Sequence, residues 1–271
     1  MPQLSVNGRT VADYVAAPDI DARLSPRPYL HPVRTLGGAT VTGALPADHP
    51  HHLGVSVAVQ DVNKTNLWGG RTYVRDSGYT WLDDHGRVVH DRFEAQSDDR
   101  LVERLRWYDS AGEALLDEHR ELAARPLAGR ADAWVLDVAY TLTALRDVTL
   151  GSPATNGRPG GAGYGGFFWR AARSDDVPIV FTATADGEER VNGSTEPWVA
   201  MASDDWTLIF TGIGDGDHWF VRAAGYPGVC AALAFDRVRM VHAGEALPRR
   251  HSVIVADGRL PRDAVAELAE G

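Results

Sequence analysis

Residues 134–145 read WVLDVAYTLTAL. In an extended chain Leu136, Val138, Tyr140 and Leu142 fall on one side and Asp137, Ala139, Thr141 and Thr143 on the other, the pattern of a half-buried strand. Alternation of this kind recurs along much of the chain between clusters of turn residues, which predicts antiparallel strands. Hairpin turns are expected at LDDHGR (82–87), YDSAGE (108–113), TADGEE (184–189) and VADGR (255–259), where a Gly stands next to Asp, Ala or His at a position that accepts a positive φ. One segment, PRDAVAELAE near the C-terminus, reads as helix: Pro261 suits a first turn, and Ala264, Val265 and Leu268 follow at helical spacing. Strands do not alternate with long helical segments, which argues against a parallel βαβ fold. The expected fold is all-β: one domain over residues 1–271 made of two stacked antiparallel sheets. Residues 1–24 would form an N-terminal strand and lead-in, and 260–271 a short C-terminal helix or tail.

Composition narrows the function classes. The chain of 271 residues is 44% hydrophobic and 24% charged, enough to bury a sizeable core. Its formal net charge is −10, Lys64 is its one lysine, and no basic stripe is present, so nucleic acids and anionic membrane surfaces are poor partners. Cys230 stands alone, which excludes an intrachain disulfide and a cysteine-based metal site. The start, MPQLSVNGRT, lacks a charged head followed by an apolar run, and no stretch approaches the ~20 apolar residues of a membrane span. A cytoplasmic protein is the expectation. No Gly-x-Ser-x-Gly elbow or P-loop occurs, and GGAGYGG (160–166) lies between strands, so it fails as a dinucleotide fingerprint. The glycine-rich segment 151–166 is expected to be a flexible or closely approached loop.

Three segments carry candidate chemistry. In LPADHPHHLG (45–54), His49, His51 and His52 concentrate imidazoles beside Pro50. Such a cluster suits metal ligation, proton transfer, or a histidine-rich surface loop. No carboxylate follows between Leu53 and Gln60, which favours proton transfer or substrate binding over a cupin-type metal site. In LLDEHREL (115–122), Leu116 and Leu122 facing the core would carry Glu118 and Arg120 with them. Opposite charges on an apolar face must form a buried pair or line a pocket. In GYGGFFWR (163–170), Phe167 and Trp169 share one face and Phe168 and Arg170 the other. Aromatic faces beside an arginine suit sugar rings. Trp68, Trp198 and Trp219 are further candidates for a lined cleft.

Taken in order, RPYLHPVRTLGGATVT, HPHHLG, DVNKTNLW, DHWFVR and AGEALPRRHSVIVADG resemble the PmoA-like family, bacterial proteins often labelled "methane oxygenase PmoA". The resemblance runs roughly from Pro28 to Gly258. It implies a β-supersandwich similar to the galactose mutarotase group, not the membrane subunit that the label suggests. It also implies a place in carbohydrate catabolism, since family members are often encoded beside NAD-dependent sugar oxidoreductases of the Gfo/Idh/MocA type. The family pattern falls on His31, Arg34, His49, His51, His52, Asn63, Trp68, Glu118 and Arg120. The chain departs from it where typical members read HPHHHGLWFAHGDVNG and it reads HPHHLGVSVAVQDVNK: one histidine and a bulky aromatic are gone from the next strand.

The expectation is therefore a sugar or oxidised-sugar epimerase or C–O lyase that uses general acid–base catalysis without a cofactor. His51 or His52 would accept the proton, with Glu118 or His31 as partner. Arg34, Asn63, Trp68, Arg120, Trp169 and Arg170 would hold the substrate. Imidazoles near their natural pKa exchange protons in both directions at neutral pH, so activity would rise with pH through the imidazole range and survive a chelator. One alternative is a metal-dependent sugar lyase or hydrolase with one divalent ion on His49, His51 and His52. Another is a non-catalytic carbohydrate-binding protein.

Overall fold

The computed structural model describes residues 1–270; Gly271, the last residue of the expected helix or tail, lies outside the described residues. Strand accounts for about 49% and helix for about 6%, so the fold is all-β. Two large antiparallel sheets dominate. One has seven strands in the spatial order Gln3–Val6, Arg9–Val15, Tyr29–Val33, Val55–Ala58, Gly166–Arg170, Gly228–Ala232 and His218–Arg222. The other has eight, in the order Ile179–Phe181, Trp198–Ala202, Trp206–Thr211, Ala246–Asp257, Ala133–Ala144, Ala114–Pro126, Arg100–Tyr108 and Arg87–Gln96.

The alternation of 134–145 is realised: Leu136, Val138, Tyr140 and Leu142 are buried, and the residues from Asp137 to Thr143 between them are half-buried. These side chains join inward rows of the seven-stranded sheet, among them Val55, Val57, Val221 and Val229, in one apolar core. Rings meet across the sandwich, with Trp169 edge-on to Phe210 at 5.6 Å and Phe167 stacked on His251 at 4.9 Å. Both sheets carry a second apolar layer on their outer faces. On the eight-stranded sheet it is covered by the expected helix, Arg262–Glu270, through buried Val265. On the seven-stranded sheet it consists of Ala58, Trp68, Phe168, Phe220, Cys230 and Ala232. No helix among the described residues is long and apolar enough to cross a membrane.

The turns differ from expectation in an instructive way. Of the four expected hairpins, YDSAGE alone joins paired neighbours, Arg100–Tyr108 and Ala114–Pro126. The segment 82–87 passes between sheets, Gly187 caps the short helix Glu188–Val191, and 255–259 leads out of the last strand towards the C-terminal helix. The N-terminal strand is instead a hairpin, Gln3–Val6 on Arg9–Val15, closed by Asn7 and Gly8, both at positive φ (52° and 78°). An Asn-Gly pair is the preferred sequence for that two-residue loop.

Candidate active site

The outer face of the seven-stranded sheet is where candidate chemistry collects. Alternation sends Phe167 and Trp169 into the core and Phe168 and Arg170 outward, and in the same way sends Phe220 and Arg222 outward while Trp219 and Val221 go in. Phe168 and Phe220 pave the floor of a cleft of about 520 Å³. Its walls are loops and the small hairpin Thr72–Val74 on Gly78–Thr80, which carries Tyr79. The first is the histidine segment, the second runs past Trp68 to Trp81, the third brings Arg158 and Tyr164 from the glycine-rich loop, and the fourth supplies Tyr226.

His49, His51 and His52 all line this cleft, with ring centroids 4.7 to 5.8 Å apart. His52 is buried, edge-on to Trp68 and Phe168, and its Nδ1 has no hydrogen-bond partner among the described residues. Burial, then the charge of Arg27, pulls His51 down from its ordinary value to about 3. Burial also holds His52 well below its ordinary value, helped by His51 and Arg170. Both imidazoles are neutral at physiological pH. This corrects the expectation of histidines near their natural pKa: stacked rings seated on an apolar floor resist protonation. Among the described residues no group of three or more His, Cys, Asp or Glu side chains is arranged to hold a metal ion. His49 instead directs Nδ1 to Asp48 Oδ2 at 3.0 Å, and Arg173 donates to the same oxygen at 2.6 Å.

Arg27, fully buried, organises two of the walls. It donates to the carbonyl of His51 at 3.0 Å, of Trp68 at 2.9 Å and of Ser25 at 3.1 Å, and to Ser56 Oγ at 3.2 Å. Buried Asn66 shapes the Trp68 loop, with Oδ1 accepting from the backbone N–H of Trp68 and Gly69. Gly70, at φ +73°, packs its backbone on His51: an added Cβ would lie 2.7 Å from His51 Nδ1. The cleft lining also holds a phenol pair. Tyr79 and Tyr164 oxygens are 3.0 Å apart, and Arg158 donates to Tyr79 Oη at 2.6 Å. Burial raises the pKa of both phenols, against the influence of Arg158, so both carry their protons at neutral pH.

Of the expected site residues, the structure brings together His49, His51, His52 and Trp68, with Arg170 just beneath. Arg170 is buried, its guanidinium 5.9 Å from the Tyr226 ring centroid. The others are elsewhere, so the expected convergence of Glu118 and His31 with the histidines is not found. Glu118 is fully buried between the sheets, accepting from Arg120 Nε at 2.7 Å and from Trp107 Nε1 at 2.8 Å. Arg120 also reaches Tyr14 Oη and Glu103, and Glu103 Oε2 lies 2.6 Å from Nδ1 of the half-buried His90. His31 Nδ1 lies 3.0 Å from Thr42 Oγ1, and Arg34 pairs with Asp13. Asn63 fastens the neighbouring strand, its Oδ1 accepting from Thr149 N at 2.8 Å. Trp169 is a core residue, its Nε1 donating to Val41 O at 3.0 Å. Trp198 and Trp219 are buried away from the cleft. The sequence motifs do not mark Arg71, Tyr79, Trp81, Arg158, Tyr164, Phe220, Arg222 or Tyr226, all of which line the cleft. The alternation in DHWFVR was the signal available for Phe220 and Arg222; nothing periodic marks the loop residues.

No curated protein matches the chain. Among solved structures, heparan sulfate lyase HepC from Pedobacter heparinus is similar with a TM-score of 0.31 at 10% identity, covering 65% of this chain and 22% of that one. The alpha-galactosidase from Lactobacillus brevis is similar with a TM-score of 0.39 at 10% identity, covering 80% of this chain and 33% of that one. The chain thus spans no more than a third of the length of either. A family model matches residues 2–270, and the chain belongs to that family, a family of unknown function designated DUF6807.

Proposed function

We propose that the chain is a carbohydrate-active enzyme, an epimerase or C–O lyase, that moves a proton at a sugar carbon in the histidine–tyrosine cleft. The observation that carries this reading is the pairing of neutral imidazoles with a protonated phenol pair around one aromatic-floored cleft. Its volume lies within the roughly 300–1,000 Å³ of ordinary small-molecule sites. Ring faces of Trp68, Phe168 and Phe220 suit the C–H faces of a sugar, and the polar groups above them suit its hydroxyls. His51 or His52 takes the proton, being unprotonated and therefore competent to accept. Tyr79, polarised by Arg158 and linked to Tyr164, supplies one to the opposite face or to a departing oxygen. Hydrolysis by paired carboxylates is less well served, because Asp48 is the single carboxylate of the lining and is held by Arg173 and His49.

Turnover on a panel of sugars and sugar acids tests the reading. His52→Gln and Tyr79→Phe should each lower kcat by about 10²–10⁴-fold, the usual worth of a general acid or base, while the folded state is retained. Wild-type activity should survive a strong chelator. Activity lost to chelation and restored by a divalent ion would overturn the proposal in favour of a metal-dependent lyase. Binding without turnover across the panel would favour a carbohydrate-binding protein.

A further inference from the structure

We infer that the cleft recognises a sugar carboxylate, so that its ligand is a uronic acid. The reaction step rests on the acid–base reading above; the recognition rests on charge alone. The chain has 37 acidic residues against 27 basic ones, so a guanidinium without a carboxylate partner runs against the composition. Many surface arginines meet carboxylates: Arg100 meets Glu121 at 2.7 Å, Arg106 meets Asp117 at 2.7 Å and Arg125 meets Asp137 at 2.6 Å. The cleft gathers several guanidinium groups in one place. Arg71 and Arg158 line it without a carboxylate partner among the described residues, and Arg222 has Glu188 at a loose 3.6 Å. Beneath them Arg170 keeps a buried Nε with no partner, and fully buried Arg27 is matched by neutral oxygens alone. The one carboxylate of the lining, Asp48, is already bound by Arg173. The result is a local cationic cleft on an acidic protein, a site that attracts an anion and holds it with the planar forks of Arg71, Arg158 or Arg222.

A carboxylate fits the chemistry as well as the charge. Removing a proton from a sugar carbon is difficult unless that carbon lies next to a carbonyl group whose negative charge has been neutralised. In a uronate the carbon bearing the carboxylate, C5, meets that condition once a guanidinium binds the carboxylate. The imidazole takes the C5 proton, and the C–H electron pair moves into the carboxylate, which the arginine stabilises. In elimination that pair returns to form the C4=C5 bond as the C4–O bond breaks, and the leaving oxygen takes a proton from the phenol. In epimerisation the phenol returns a proton to C5 from the other face. No oxidant or reductant is needed in either case. The incoming anion also opposes the Coulomb effect of Arg27 on His51, so the imidazole becomes a stronger base when the substrate is present.

Calorimetric titration of the full chain with glucuronate, galacturonate, mannuronate and iduronate, each beside its neutral parent sugar and beside glucose 6-sulfate, tests the recognition. At least one uronate should bind about tenfold or more tighter than its parent, as expected when a charge-assisted hydrogen bond is added. Raised salt should weaken that preference. Arg71→Ala should reduce it while leaving neutral-sugar binding in place, and Arg158→Ala should reduce it as well. Arg158→Lys, which keeps the charge, should restore part of it. Equal binding of acid and parent, or tighter binding of the sulfate than of every uronate, would overturn the inference and leave the acid–base reading standing. Uronate-selective binding with no turnover would support the inference while that reading fails.

Discussion

Glu118 illustrates how far a single residue can be read. Strand alternation places it with Arg120 on the apolar face of Ala114–Pro126, and the structure agrees: both are buried. Alternation cannot say whether an inward charge lines a cavity or meets a partner, because it fixes the face and not what lies opposite. Here the opposite side is filled, with Trp107, Tyr14 and Glu103 joining the network. Glu118→Gln should therefore act on stability, costing roughly 3–5 kcal/mol as a buried guanidinium loses its counter-charge. Denaturant unfolding should register that loss, and titration of the folded variant should show unchanged ligand affinity in the cleft. A stable variant with a damaged cleft would contradict this placement. The GFFWR segment teaches the same lesson in reverse. Its two faces are legible, but both carry aromatics, so which face meets the core and which the cleft is not; Phe168 and not Trp169 faces the cleft.

At the scale of elements, strands were more legible than the loops between them. A strand writes its burial into the sequence with a period of two, whereas a loop takes its path from partners distant along the chain. The histidine segment stood out by composition, yet its place in the cleft depends on Arg27, which reaches both His51 and Trp68. Tyr79 and Tyr164 are 85 residues apart in sequence and meet because the glycine-rich loop folds back. That loop is closely approached, as its composition suggested: a Cβ on Gly163 would lie 2.3 Å from the carbonyl oxygen of Phe235. Turn residues were the weakest guide, since Gly beside Asp marks a change of direction without saying whether the next strand pairs with the last. Asn7-Gly8, with both residues at positive φ, was the more specific signal.

For the whole molecule, the sandwich buries histidines that must stay neutral, and this links folding to pH. Burial, aided by Arg249, lowers His251 to about 3; it is stacked on Phe167 in the core, and its ring nitrogens have no partner among the described residues. His51 is lowered to about 3 as well, and His52 well below its ordinary value. Between the ordinary value of 6.5 and about 3 the unfolded chain binds protons on these groups that the native chain does not. Their contribution is complete above pH 6.5 and is lost as pH falls towards the folded values. Unfolding free energy measured from pH 7 to pH 4 should therefore fall, and His251→Phe should flatten the slope by up to about 1.4 kcal/mol per pH unit, one proton's share. An unchanged slope would mean that His251 is protonated in the fold. For the cleft the decisive measurement is proton NMR of uronates incubated with the protein in D2O. If the cleft removes the proton beside the carboxylate, that C5 signal should disappear or an alkene signal should replace it, and His51→Ala with His52→Ala should abolish the change. Retention of the C5 proton in every uronate that binds, or exchange that persists without both histidines, would contradict the account.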